Sequence, residues 1–510
     1  MHRCLLIPEI VCMICEQIYI HDTARTLTLL ARTAKTFLYA LDLLWKEQHG
    51  LAALLKCMPP DLWETEERVD SVREGETDAH PPTKTLFVGL RRPILPSDLD
   101  RFLFYSRRVR VFIVHDEINV AVDDLRACLA DQILFPSLTT LVWGHADSFC
   151  DLPLYLGPHL KHIGFALNNS APHLCLLLTL TLQYPMLKSV DICLPPSAST
   201  AYVVSDAVCG LRAVTRLTVN TLTTPALLHL AALPDLNVLN LMCVGDVRVP
   251  EPLPDERFVR LEHLSAGAAD IEHCTALLRF LSAAPLKTTF FALSDSDGSP
   301  PSAWASFTSA LRDHCVPCKL QSIFIYHGSL PDAPFPRAHT PAAPSGAALT
   351  PLLAFHNLTS LVIEPPHGLE LDEGLLRDMA AAWPLMEKLV LGVSGSEVEP
   401  FPRSTTVSLR ALLPFALHCP NLQTLGVVFD ATLPFVGMEP ELAKLNGGHR
   451  ALRRLLLGHS AIADPHIGEV AKFLDGLFPC LEAMVCARGE TLVEAWRRVG
   501  QAMSAPVDSE

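Results

Sequence analysis

The chain has 510 residues, with 40 Lys plus Arg against 55 Asp plus Glu and a formal net charge of −15. Hydrophobic residues make up 49% and charged ones 19%, a balance that excludes intrinsic disorder and provides for an extensive core. An acidic surface without a Lys/Arg block repels phosphate backbones, which argues against non-specific nucleic-acid binding.

The first residues, MHRCLLIPEIVCMIC, hold Pro8 and Glu9 inside their apolar run, and no small-residue cleavage site follows. They are not read as an export signal. Ile7, Ile10, Val11, Ile14 and Ile18 instead fall at helical spacing, with Pro8 in the first turn, where its missing N–H costs nothing. Asp22 is placed to cap a second helix carrying Leu27, Leu30, Ala31 and Ala34. Phe37, Leu38, Leu41, Leu44 and Trp45 mark a third helix, and Leu51 to Cys57 a short fourth. Residues 1–58 therefore read as a small all-helical domain. Residues 59–84, with Glu64, Glu66, Glu67, Asp70, Glu74, Glu76 and Asp78, read as an acidic linker or loop.

From residue 85 to about 490 one phrase keeps returning: an apolar anchor, two variable residues, an apolar residue, one variable residue and another apolar residue. It reads SLTTLVW at 137–143, DLNVLNL at 235–241, KLQSIFI at 319–325, NLQTLGV at 421–427 and CLEAMVC at 480–486. Thirteen anchors run from Leu138 to Leu481, at a mean spacing of about 29 residues. Amphipathic runs of helical period lie between phrases, as in Leu277, Phe280 and Leu281, or Ile467, Val470, Phe473 and Leu474. No single strand–helix unit buries its own leucines, so the units must stack as a solenoid of parallel strands backed by helices, an α/β architecture. The Pro/Ala/Gly-rich stretch at about 329–347 reads as a mobile loop projecting from it, and residues 491–510 as a C-terminal cap and tail. Leu174 to Leu182, the greasiest stretch, is about half the length a membrane span needs. Sixteen cysteines scattered through apolar patterns behave as small hydrophobes, which suits a reduced, intracellular chain, cytoplasmic or nuclear.

The amino-terminal segment resembles an F-box, through Ile7-Pro8-Glu9-Ile10, the apolar series Ile14 and Ile18, the ARTAKTF phrase at 31–37, and Trp45 with Lys46. With the repeats behind it, the whole chain resembles an F-box/leucine-rich-repeat protein. That resemblance implies a non-catalytic substrate-recognition subunit of an SCF-type ubiquitin ligase, whose F-box docks the Skp adaptor and, through it, a cullin. The adaptor-binding residues it implies are Ile7, Pro8, Glu9, Ile10, Ile14, Ile18 and Trp45. The regular Cys and Asn positions of repeat consensus sequences are missing, which leaves unit boundaries open. The alternative is a freestanding leucine-rich-repeat scaffold or inhibitor whose terminal helices cap the solenoid's first end.

Catalytic and cofactor motifs are not found. Cys12-Met-Ile-Cys15 lies within the first amphipathic helix, and Cys315-Val-Pro-Cys318 precedes a phrase instead of opening a helix. Neither has a second pair or a His pair at zinc-finger spacing, so no metal is expected. Asp295-Ser-Asp297-Gly298 opens like a calcium loop but lacks its closing Glu, and no cofactor is expected.

The pleat predicts where a protein substrate would sit. With the anchor and the two later apolar positions turned toward the helices, intervening residues face the opposite surface. Most are polar or small: Thr140, Ser189, Asp191, Thr218, Asn220, Ser265, Thr424 and Gly426. Phe290, Phe324 and Tyr326 break that rule and are the candidate substrate-binding residues. A one-residue slip in register would turn them inward, and the loop at 330–347 folding back would cover them.

Overall fold

The computed structural model describes residues 7–21, 24–69, 84–114, 122–129, 132–144, 149–167, 170–195, 197–245, 247, 257–294, 299–327, 343–393, 406–432, 447–486, 490–503 and 507–509. The loop expected at about 329–347 and the acidic run at 70–83 fall mostly outside these residues. The chain forms two compact units, one of Met1–Val203 with Gly210–Val214 and one of Val204–Cys209 with Thr215–Glu510.

The first unit opens with helices at Pro8–His21, Ala24–Thr33 and Leu38–Lys46, the last preceded by a 3-10 turn at Lys35–Phe37. They share a core of Val11, Cys15, Leu27, Phe37, Ala40 and Leu43, with Ile18, Leu30 and Leu44 packed on its edge. The Tyr39 hydroxyl donates to Glu16 Oε1 at 2.9 Å, tying the third helix to the first. The chain then passes without a linker into strand β1 (Glu47–His49).

Past a short helix (Ala52–Leu55) come β2 (Trp63–Val69) and β3 (Lys84–Leu90), an antiparallel ribbon with Trp63 opposite Leu90 and Val69 opposite Lys84. The sequence expects a linker over most of that span. Glu64, Glu66 and Glu67 belong instead to one strand of a ribbon whose other strand has an apolar sequence: Glu66 pairs with Phe87 and Glu67 with Leu86. Strand formation on a ribbon depends on the cross-strand partner more than on local propensity, which is why composition points elsewhere. Arg92 closes the base of the ribbon, reaching Asp61 at 3.0 Å and Asp98 at 2.7 Å.

Strands β4 (Val111–Val114), β5 (Thr140–Trp143), β6 (His162–Ala166) and β7 (Ser189–Cys193) follow, each paired in parallel with the one before it in this series. β1 pairs in parallel with β4, Glu47 opposite Val111 and His49 opposite Ile113, so the sheet begins inside the segment that sequence assigns to the helical domain. Phe112, Phe135, Trp143 and Tyr155 pack ring to ring beneath it, with centroids 4.7–5.7 Å apart.

The second unit repeats the arrangement at greater length. Its strands are β8 (Arg216–Val219), β9 (Val238–Val244), β10 (His263–Ala268), β11 (Thr288–Leu293), β12 (Ser322–His327), β13 (Ser360–Glu364), β14 (Lys388–Leu391), β15 (Thr424–Val427), β16 (Asp430–Ala431), β17 (Arg454–Gly458), β18 (Ala461–Ile462), β19 (Ala483–Cys486) and β20 (Val507–Ser509). β16 and β18 form a separate parallel pair, and all the others pair in parallel, in chain order. Parallel pairing requires a crossover between strands, and helices such as Ile271–Leu278, Pro301–His314, Glu373–Ala382 and Ile467–Leu477 supply it. The result is a large parallel sheet backed by helices, a solenoid-like α/β fold.

The register explains the periodic leucines. Leu217, Leu239, Leu264, Thr289, Ile323, Leu361, Leu389, Leu425, Leu455 and Met484 stand side by side on the helix-backed face, none more than 2% exposed. The anchors preceding the strands are buried in each unit, from Leu138 to Val214 in the first and from Leu236 to Leu452 in the second, while the last, Leu481, is partly exposed. Helix Glu490–Met503 closes the end of this unit: Trp496 is fully buried, donates Nε1–H to the Ser460 carbonyl at 2.9 Å and meets Phe429 edge to face. Among the described residues no helix is long and apolar enough to cross a membrane.

Two substitutions test this core. Leu236→Ala and Leu422→Ala each empty a fully buried anchor site and should lower stability by about 2–5 kcal/mol, read from urea unfolding midpoints. Thr289 occupies a ladder position with a buried hydroxyl that has no hydrogen-bond partner among the described residues, so Thr289→Val should raise stability by about 1 kcal/mol.

Candidate functional site

The face opposite the helices is built from the residues between the buried ones. In the first unit its central row runs Ile113, Val142, Gly164, Asp191. In the second it runs Thr218, Asn240 and Ser265, then Phe290, Phe324, Val362, Val390, Gly426, Leu456 and Val485. The row changes from polar to apolar at β11, and the following strands keep it so.

Phe290 is 38% exposed, whereas Phe324 and Tyr326 are half-buried. The Tyr326 ring stands 5.6 Å from that of Phe290 and 6.4 Å from that of Phe324, and is nearly parallel to the latter at 5°. All three aromatic candidates therefore lie together on the open face, in the register that the alternation predicts. Burial against this surface, and then the nearby Glu364 carboxylate, push the Tyr326 phenol above its usual range and keep it neutral.

The aromatics are one end of a longer strip. Val362, Val390 and Val393 are buried, and Phe324, Tyr326 and Leu456 pack against them. Val393 reaches this face because Gly392 turns the chain through a left-handed conformation (φ 62°), where a Cβ would lie 2.9 Å from the Leu369 nitrogen. Gly426 is required in the strip itself: a Cβ there would meet Val393, Val390 and Leu456 at 3.0–3.2 Å. Val362, Val390 and Leu456 are contributors that the alternation rule could have located from NLTSLVI, LMEKLVL and ALRRLLL, since each lies between the two inward apolar residues of its phrase.

The second candidate set lies on the first helix. Ile7, Pro8 and Glu9 are exposed, and Ile10 and Ile14 are half-buried without joining the three-helix core. Met13, 60% exposed, lies beside them. Ile18 packs on that core instead. Trp45 is held away from this set: its ring stacks on Tyr105 at 4.4 Å, on the helix Leu99–Ser106.

Both CxxC pairs join a buried thiol to a more exposed one. Cys15 is fully buried and Cys12 partly exposed; Cys315 is 3% exposed and Cys318 lies at the surface. Desolvation pushes the Cys315 thiol up to about 12 and raises Cys15 as well, opposite to the thiolate-favouring environment of a reactive cysteine. Among the described residues no three His, Cys, Asp or Glu side chains are grouped to hold a metal ion. No family model matches this chain, and no curated protein matches it.

Thiol labelling of the native protein at pH 8 should modify the exposed Cys318, Cys175 and Cys193 while sparing Cys315, Cys419 and Cys486, whose thiols are buried and raised to about 11–12. Peptide mapping after iodoacetamide checks this, with full labelling restored in denaturant.

Proposed function

We propose that this chain is a non-catalytic substrate-recognition subunit of an SCF-type ubiquitin ligase, with an F-box at its amino terminus and leucine-rich repeats behind it. The observation that carries the reading is the doubly apolar first helix. Val11, Cys15 and Ile18 use one face for the three-helix core, and Ile7, Ile10, Met13 and Ile14 leave a neighbouring apolar face without an intramolecular partner in that core. An apolar helix face of this kind is how helical modules engage a groove on a partner. The Skp adaptor is that partner, a cullin follows through it, and Pro8 and Glu9 lie at the helix start where F-box residues of the same type lie. The aromatic end of the open face binds the protein substrate, and the chain works inside the cell.

A second reading, a freestanding repeat scaffold with its helices as a cap, draws support from the junction at residues 45–49. The third helix runs straight into β1, and Trp45 is committed to Tyr105. Deleting residues 1–58 does not separate the two readings, because it also removes β1 from its pairing with β4. Point variants on the bare face do. Pro8→Ala with Ile10→Ala should reduce co-purification of the Skp adaptor by about tenfold or more, with circular dichroism and thermal unfolding unchanged. Undiminished adaptor binding, or none by the native chain, would leave the scaffold reading. Phe290→Ala with Phe324→Ala and Tyr326→Ala should release bound protein partners in pull-downs without altering adaptor binding.

A further inference from the structure

Alongside the apolar strip of the second unit runs a second row, two residues earlier on each strand: Thr288, Ser322, Ser360, Lys388, Thr424, Arg454 and Ala483. Its only charges are positive. Lys388 and Arg454 flank Thr424 on adjacent strands, Lys388 half-buried and Arg454 exposed. Other arginines and lysines of these units find carboxylates, as Lys287 finds Glu262 at 2.8 Å and Arg453 finds Glu482 at 3.0 Å. Lys388 and Arg454 have no ion-pair partner among the described residues. In a chain of net charge −15, two neighbouring cations without an ion-pair partner among the described residues are a local reversal of the overall field, and the carboxylate of this face, Glu364, lies beside Tyr326, four residues along β13 from Ser360 of their row.

We infer that the open face takes an extended segment of a partner protein that places a bulky apolar residue on Phe290, Phe324 and Tyr326 and an acidic residue between Lys388 and Arg454. This rests on the open face being the partner-binding surface and is independent of the adaptor. The spacing follows from the sheet. From Phe324 on β12 to Thr424 on β15 is three strand spacings across and two residues along the strand, about 16 Å, which an extended chain covers in about five residues. Val362 and Val390 lie between the two ends as a closed apolar floor, each 2% exposed, so the discriminating contacts are at the ends. The aromatics supply contact area, and the cations select for acid and against base.

Panning a displayed library of random dodecapeptides on the full chain tests this. The native protein should enrich peptides with Phe, Leu, Trp or Met about five positions from Asp or Glu. Lys388→Glu with Arg454→Glu changes only side chains that reach solvent. It should weaken the selected acidic peptides by about tenfold or more and shift enrichment to Lys and Arg at the same spacing. Phe290→Ala with Tyr326→Ala should erase the apolar preference. If the aromatic variant loses the apolar selection while charge reversal leaves the acidic preference in place, the acidic assignment is wrong and the open face stands as a binding surface. If neither variant alters the selection, the open face is not the binding surface and both fall. A native chain that enriches no sequence also overturns the inference.

Discussion

One backbone contact recurs through both units, and the rest depends on it. Within each unit, the carbonyl of the residue after an anchor accepts two consecutive N–H groups from the next phrase. Thr139 receives Lys161 and His162, Glu262 receives Lys287 and Thr288, and Gln423 receives Arg453 and Arg454, all at 2.7–3.1 Å. Each such pair uses both lone pairs of one carbonyl and sets the register where the next strand begins. A slip of one residue would break the double contact and also turn every apolar side chain to the wrong face. The hydrogen bonds and the leucine ladders therefore enforce the same alignment.

That alignment has a consequence on the surface. Because the register is kept from strand to strand, side chains at equivalent positions form continuous rows, and a change of residue type in one phrase becomes a boundary on the face. The switch from Ser265 to Phe290 is such a boundary. The cost of placing aromatics and valines away from the helices is reduced by their packing on one another, with Gly426 giving the neighbouring side chains room to close over the backbone. The open face therefore has an apolar region whose position is determined by the same contact that orders the core.

The junction between the amino-terminal helices and the sheet brings two demands together. The first strand needs its outer edge protected, since an unpaired edge is a template for association. Here β1 is a three-residue strand joined directly to the third helix, with Trp45 stacked on Tyr105 and Arg108 within 2.9 Å of Asp42. The same helices keep a core of their own and leave the Ile10 and Ile14 side of the first helix out of it. Ending a sheet and presenting a helix face are compatible because they use different surfaces of one small bundle.

By itself the sequence determined the features that repeat or alternate. The anchors from Leu138 to Leu452, the inward second residues and the outward Phe290, Phe324 and Tyr326 all follow from a period of two along a strand and a recurrence of strand and helix along the chain. The small three-helix core was legible for the same reason, as Val11, Leu27 and Phe37 mark its helical faces. Tertiary structure decided what depends on a partner distant in sequence. Glu47–His49 is a strand only because β4 lies beside it, and Glu64 to Glu67 belong to a ribbon only because Leu86 to Gly89 face them. Trp45 reads as a docking residue from its position in a motif, and its stacking on Tyr105, sixty positions later, is decided by the fold. Lys388 and Arg454 are unremarkable in their own phrases. Pairing of β14, β15 and β17 is what sets them side by side, because charge on a sheet surface is arranged across strands and a sequence is read along them.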